Sequence, residues 1–216
     1  MANQTPTTPD KEVTTVTTDS PTGSEASLVD PPDYIAPDQQ DIMLTDITSA
    51  ILHSNKCTVS IGRGNEYLSE AKSFPLEWPA TGVVYGTNKR LMVSLACRRG
   101  RPDRGYKALN IFFLVDTGSP CSYLCLEAMT ALSGNPTCAV PEQLSVVVQD
   151  ESFRMPFHMS PVGTKEAPGK FRDVNVIGMD FLQLAGLCMT VNTPIQHFRL
   201  FKSDDRSMYQ DYPDED

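Results

Sequence analysis

The feature that most constrains the fold of this chain is an apolar run that ends in an aspartate. Residues 111–115 are Ile-Phe-Phe-Leu-Val, and an unbroken run of aromatic and β-branched residues is typical of a strand buried on both faces. Asp116 follows at once, although an ionised carboxylate is costly to bury unless it is paired or functional. Gly118 permits a tight turn, and Ser119 can donate a hydrogen bond to the carboxylate. The sequence therefore predicts a buried strand that presents Asp116 in a turn at its end.

Two stretches of the sequence carry a resemblance to a known family. Residues 114–119, Leu-Val-Asp-Thr-Gly-Ser, resemble the active-site signature of aspartic proteases. About sixty residues later, residues 174–182 resemble the strand and short helix that pack behind the catalytic loop in the retroviral-type members, the retropepsins. The chain has no second Asp-Thr-Gly or Asp-Ser-Gly, which excludes a two-lobed arrangement within one chain. The resemblance covers about residues 82–202.

This resemblance implies an all-β fold, mainly β with short helices, that forms a single-lobed retropepsin-like acid-protease barrel. It also implies an aspartic endopeptidase that needs no metal and no cofactor. The family hydrolyses peptides with two carboxylates that share one proton across a bound water. This chain supplies only Asp116, so the second carboxylate would be Asp116 of another copy. The resemblance thus implies a C2 homodimer with the catalytic site on its axis, and it suggests a retroelement origin.

Residues around the catalytic aspartate receive supporting roles from the same resemblance. Thr117 would hydrogen-bond across the dimer axis and hold the two loops together. Gly118 would let the substrate backbone and the water approach, and Ser119 would hydrogen-bond the outer oxygen of the carboxylate. Ile177 and Gly178 would pack under the loop as support and take no part in the chemistry.

One part of the family pattern has no obvious counterpart here. The family carries a glycine-rich hairpin, the flap, that closes over the substrate, whereas residues 120–144 contain a single glycine. If residues 144–159 are the later hairpin of the family, the flap is missing or reduced to about residues 133–142. If residues 144–159 are instead the flap, a later strand is missing and the turn at residues 149–152 lacks glycine. These alternatives motivate a second hypothesis, a non-catalytic binding module on the same fold.

The distribution of charge separates a central domain from two acidic ends. Residues 1–42 hold eight acids and one base, and residues 203–216 hold six acids and one base. Both segments are poor in large apolar residues, so we expect them to be disordered and to flank a domain at residues 43–202. Residues 98–107 carry a net charge of +4, but such a loop is most often a solvated turn, and we expect no nucleic-acid partner.

Cysteine and histidine usage argues against a metal site. None of the six cysteines forms a Cys-x-x-Cys pair, and the three histidines lie in unrelated settings. The N-terminus lacks the basic segment and apolar run of a signal peptide, and no apolar stretch is long enough to span a membrane. We therefore expect a cytoplasmic protein with reduced cysteines whose partners are a polypeptide substrate and a second copy of the chain.

Hydrophobic periodicity predicts the remaining elements. A short helix is predicted between Asp41 and Asn55 with Thr45 as its N-cap, and the alternation in residues 56–61 predicts a strand. Trp78 is expected to anchor a loop over residues 65–81. Further strand pairs are predicted at residues 83–85 with 91–97, 144–148 with 153–159, and 188–191 with 197–201, a strand at 174–177, and helices at 126–132 and 180–184.

Overall fold

The computed structural model describes residues 46–100, 105–134, 140–160 and 172–204. Within these ranges the strands are β1 (Ala80–Tyr85), β2 (Arg90–Arg99), β3 (Leu109–Val115), β4 (Tyr123–Leu124), β5 (Gln143–Val148), β6 (Arg154–Met159), β7 (Asn175–Ile177), β8 (Leu187–Asn192) and β9 (His197–Lys202). The helices are α1 (Ser49–Leu52), α2 (Asn55–Ser60), α3 (Leu126–Ser133) and α4 (Met179–Leu184). The expected disorder of residues 1–42, and of all but the first two of residues 203–216, lies outside the described residues.

Six of the strands close into a barrel, which confirms the expected mainly β architecture. The sheet runs in the order β3-β7-β4-β6-β5-β2, and β2 pairs again with β3 to complete the ring. Beyond β2, the strands β1, β9 and β8 extend the sheet outwards. The ten-residue β2 can serve both parts because it pairs antiparallel with β1, β3 and β5 along its length. No helix within the described ranges is long and apolar enough to cross a membrane.

Aromatic side chains fill the barrel beneath the strand that leads to Asp116. Phe113 of β3, Phe157 of β6 and Phe181 of α4 are fully buried. Ring centroids lie 6.0 Å apart for Phe113 and Phe157 and 6.2 Å apart for Phe157 and Phe181, within the range of favourable aromatic pairs. The apolar run at residues 111–115 is therefore a core strand, as its composition predicts.

The strand β7 lies between β3 and β4 and brings two distant parts of the sequence together. Val176 pairs in parallel with Leu114 of β3 and antiparallel with Tyr123 of β4. All three residues of β7 are buried. Because β3 and β7 run in the same direction, the residues that follow them, Asp116 and Gly178, emerge at the same end of the barrel.

The strand predicted at residues 56–61 is wrong, because this segment forms helix α2. The apolar residues at positions 57, 59 and 61 fit a period of two, but Cys57 and Ile61 are buried while Val59 is 66% exposed. Burial at positions i and i+4 is the pattern of a helix. Ser54 provides the start, since its side chain accepts a hydrogen bond from the Cys57 N–H.

The first helix is present but shorter than expected and begins later. Thr48, and not Thr45, is the N-cap of α1, and its hydroxyl accepts a hydrogen bond from the Ile51 N–H at 3.3 Å. Thr45 itself lies outside the described residues. Leu52 is the buried residue of this single turn, next to the buried Ile47.

The hairpin of β5 and β6 is confirmed, and its position decides between the two alternatives for the flap. Its tip is tied to the barrel: the Gln149 N–H donates to the Ala96 carbonyl at 2.7 Å, and the Trp78 indole donates to Asp150 at 2.6 Å. Ala96 pairs with Asn110 near the beginning of β3, whereas Asp116 follows the end of that strand. The hairpin is thus a wall of the barrel, and the alternative in which residues 144–159 cover Asp116 is wrong.

Candidate active-site loop

The loop after β3 holds Asp116 at the surface end of the barrel. The Asp116 N–H donates to the Ile177 carbonyl at 2.9 Å, which continues the pairing of β3 with β7 by one residue. The carboxylate turns back on the loop, where Oδ1 accepts a hydrogen bond from the Gly118 N–H at 2.9 Å. Asp116 is partly buried, while Thr117 and Gly118 are exposed. The loop therefore presents a hydrogen-bonded carboxylate towards solvent at the end of a core strand.

Gly178 supports this loop from behind and requires the absence of a side chain. A Cβ atom at position 178 would lie 2.5 Å from the Cys121 carbonyl oxygen and 2.8 Å from the Ser119 carbonyl oxygen. The next residue, Met179, donates its N–H to the same Ser119 carbonyl at 2.9 Å. The structure thus places Ile177 and Gly178 directly against the loop, the position that the resemblance implies for them.

Ser119 does not make the contact expected of it. Its hydroxyl donates to the Cys121 carbonyl at 2.7 Å, and a serine hydroxyl has only one proton to donate. The expected hydrogen bond from Ser119 to the Asp116 carboxylate is therefore wrong for this chain. The physical reason is local, since the turn brings the Cys121 carbonyl within reach of Oγ and fixes the far side of the loop.

A second support, absent from the sequence interpretation, joins the loop to helix α4 through Asp180. Ser122 is fully buried; its hydroxyl donates to the Asp180 carboxylate and accepts the Gly178 N–H at 2.9 Å. The Ser122 N–H donates to the other Asp180 oxygen at 3.0 Å. An acidic residue in the first turn of a helix is favourable in its own right. In the sequence, the only indication of this contact was an acidic residue, Asp180, at the start of the helix predicted at 180–184.

A buried polar cluster around Asn175 was also missed. Asn175 is completely buried within β7; its side-chain N–H groups donate to the Tyr67 hydroxyl at 2.8 Å and the Phe112 carbonyl at 3.1 Å. Its side-chain oxygen, Oδ1, accepts a hydrogen bond from the Cys125 N–H at 2.9 Å. Burial raises the pKa of Tyr67 and of Cys125, so both stay neutral. The signal in the sequence was an asparagine inside an apolar strand.

The basic segment at residues 98–107 is largely engaged within the chain. Arg98 pairs with Glu151 at 2.7 Å, and Lys107 pairs with Glu70 at 2.6 Å. Arg99 donates to the Tyr106 hydroxyl at 3.1 Å and to the Ser133 carbonyl at 3.0 Å. Residues 101–104 lie outside the described residues. The three described bases thus serve intramolecular contacts, which favours the interpretation as a structural turn.

Chemically, each chain contributes one accessible carboxylate to this site. Asp180, the other acid of the loop region, is held by Ser122 and by the Phe181 N–H at 2.6 Å. Among the described residues, no group of three or more His, Cys, Asp or Glu side chains could hold a metal ion. No protein-family model and no curated protein matches this chain.

Proposed function

We propose that this chain is an aspartic endopeptidase of the retropepsin-like type and that Asp116 is its catalytic residue. The observation that carries the proposal is the Asp116 loop, in which a core strand delivers a carboxylate to an exposed turn. The Asp116 carboxylate has no cationic partner among the described residues, so an ion pair does not explain its position. The Gly118 N–H keeps the carboxylate oriented.

The surroundings of the loop support the same proposal. The resemblance implies a strand and a short helix behind the catalytic loop, and β7, Gly178 and α4 occupy that place here. The closed six-stranded barrel agrees with a single-lobed enzyme. A reducing compartment such as the cytoplasm, expected from the sequence, belongs to the same proposal.

The proposed mechanism requires two chains. Two Asp116 carboxylates would face each other across the axis of a homodimer and share one proton, because two like charges at that separation do not both ionise. The ionised Asp116 takes a proton from the water that attacks the peptide carbonyl, and the protonated Asp116 donates a hydrogen bond to the carbonyl oxygen. Thr117 and Gly118, which follow Asp116 in the loop, are exposed and would lie next to the proposed dimer axis.

The decisive test combines sedimentation with proteolysis. We expect the purified chain to dimerise and to cleave an unstructured polypeptide such as casein at acidic to neutral pH, with inhibition by a statine-type compound. Asp116→Asn should abolish cleavage, whereas Asp204→Asn, the same change at an exposed carboxylate, should not. A dimer with an intact loop that cleaves no peptide of a diverse library would overturn the proposal.

The alternative is a non-catalytic binding module on the same fold. The position of the β5–β6 hairpin favours this alternative, because its tip is tied to the barrel and no described hairpin covers Asp116. Many enzymes close a loop or hairpin over the substrate to exclude water from the reaction. The segment that remains as a cover is residues 133–142, of which 135–139 lie outside the described residues. A chain that stays monomeric at every concentration would favour the binding module, since one Asp116 does not make a pair.

A further inference from the structure

A groove away from the Asp116 loop is lined by basic and apolar side chains. It has a volume of 480 Å³ and lies between helix α2 and the strands β1 and β9. Lys56, Val59 and Arg63 border it on one side, and Tyr85, Gly86 and His197 on the other. None of its lining residues is acidic. The groove thus combines positive charge with an apolar floor and rim.

The cations of this groove have no anionic partner in the described part of the chain. Lys56 Nζ lies over the Tyr85 ring at 5.5 Å from its centroid, and none of the described carboxylates pairs with Lys56 or Arg63. Val59, at the rim, is 66% exposed. A ligand that matches this surface carries both negative charge and apolar side chains.

The polypeptide enters the described structure beside this groove. Asp46 is held to the turn between β1 and β2, where it accepts hydrogen bonds from Asn88 at 3.0 Å and from Arg90 at 3.1 Å. Gly86, which lines the groove, lies two residues from Asn88, so their α-carbons are at most about 7.6 Å apart. Asp46 therefore lies near the groove, and it directly follows residues 37–45, Pro-Asp-Gln-Gln-Asp-Ile-Met-Leu-Thr, in the sequence.

We propose that residues 37–45 of the same chain bind in this groove. Asp38 and Asp41 supply the negative charges for Lys56 and Arg63, and Ile42, Met43 and Leu44 supply the apolar contacts for the floor and for Val59. The acidic tail at residues 205–216 fits less well. The described structure ends at Asp204, two residues beyond β9, and the six residues of β9 span roughly 17 Å from His197 at the groove to Lys202.

Hydrogen exchange on the full-length chain tests the proposal. At low salt the amides of residues 42–44 should exchange about tenfold or more slowly than in an unstructured peptide. The double variant Lys56→Glu with Arg63→Glu should remove this protection, as should high salt, because the contact is partly electrostatic. A matched control, Lys72→Glu with Lys107→Glu, makes the same change of charge outside the groove and should leave the protection intact.

A second pair of variants keeps the test valid if the groove variant unfolds. Asp38→Lys with Asp41→Lys alters only the segment; alone it should lose the protection, and in combination with the groove variant it should restore it. Random-coil exchange of residues 42–44 in the unaltered chain would overturn the proposal. Protection of residues 42–44 that stays unchanged in both charge-reversal variants would also overturn the proposal. So would a groove variant that changes hydrogen exchange only in residues 205–216.

Discussion

At the scale of single residues, Asn175 is the most consequential side chain that is not itself reactive. It is the first residue of β7 and makes three hydrogen bonds that join β3, the start of α3 and the Tyr67 hydroxyl. Each partner is buried, so an apolar residue at position 175 would leave polar groups without hydrogen bonds and without water. The position explains why a polar residue interrupts an apolar strand beside the Asp116 loop.

Replacement of Asn175 by leucine should destabilise the fold by about 2–4 kcal/mol, because at least two buried groups lose their partner. Urea unfolding at neutral pH measures the change. Tyr67→Phe is the graded control, since it removes one hydroxyl of the same cluster and should cost about 1 kcal/mol. Equal losses for the two variants would show that the asparagine is not the centre of the cluster.

Asp150 ties the tip of the β5–β6 hairpin to the barrel and makes this contact dependent on pH. Partial burial raises its pKa, but hydrogen bonds from Ser152 and Trp78 and the charge of Lys202 outweigh burial and lower the pKa below its usual value. A lowered carboxyl pKa contributes stability above the unfolded value, about 3.9, and this contribution is lost as the pH falls through the folded value.

Asp150→Asn should therefore be less stable than the unaltered chain at pH 7, by about 1 kcal/mol. The difference should shrink below about pH 4 and vanish at lower pH, because the carboxyl group then becomes neutral in both states. Thermal unfolding across this pH range measures it, with Glu66→Gln as a control at an exposed carboxylate. A difference that stays constant with pH would assign the effect to packing and not to charge.

At the scale of elements, β8 is the open edge of the sheet. Among the described strands it pairs only with β9, and it carries no charged residue. Ser203 donates to the Gly186 carbonyl just before β8, and hydrogen-bonded pairs alternate along an antiparallel ladder. Leu187, Met189 and Val191 therefore direct their backbone N–H and C=O groups away from β9. Such an edge invites pairing with another strand.

The exposed apolar residues of α4 make this edge the best candidate contact for the proposed homodimer. Met179 and Leu184 are 43% and 65% exposed, and Met179 directly contacts the Asp116 loop through its N–H. The apolar surface thus leads from the loop towards β8. Antiparallel pairing of β8 with β8 of a second copy is compatible with C2 symmetry, which the proposed site also requires.

Met189→Pro should weaken dimerisation about tenfold or more, because it removes an outward N–H without breaking the ladder to β9. Sedimentation velocity across a dilution series measures the dissociation constant, and circular dichroism checks that the monomer still folds. Met189→Ala retains the N–H and should have a smaller effect. Dimerisation of the proline variant with unchanged affinity would place the contact elsewhere.

Elements with one clear pattern could be predicted from the sequence, and ambiguous ones could not. The strand β3 and the hairpins of β5 with β6 and β8 with β9 have apolar runs bounded by turn residues. Helix α2 was missed because its apolar residues at positions 57, 59 and 61 all fit a period of two, and the Ser54 cap is the sign of a helix. The role of the β5–β6 hairpin depends on contacts of its tip with Ala96 and Trp78, which are distant in sequence.

At the scale of the whole molecule, the candidate site could be predicted where it is local and not where it is assembled. The Asp116 turn could be predicted from its own sequence. The supporting position of Gly178 could be predicted only from the resemblance. The partner of the Ser119 hydroxyl and the Asp180 brace depend on how the loop lies against α4. These contacts come from tertiary packing, which no short window of sequence contains.

The proposed pairing of two Asp116 residues makes a quantitative prediction for mixed dimers. If each active site needs one Asp116 from each chain, a dimer that contains one Asp116→Asn chain is inactive. After equal amounts of both chains exchange at random, about a quarter of all dimers carry two intact aspartates. Proteolysis of casein should then fall to about half the rate of the same amount of unaltered chain alone.

The mixture must be assayed well above the concentration at which the dimer dissociates, and after time for exchange. Asp204→Asn serves as the matched control: an equal amount of this active chain, added to the unaltered chain, should raise the rate of proteolysis and not lower it. A rate unaffected by the Asp116→Asn chain would mean that each chain carries a complete site. That outcome would contradict the shared site, since each chain contributes a single carboxylate from its Asp116 loop.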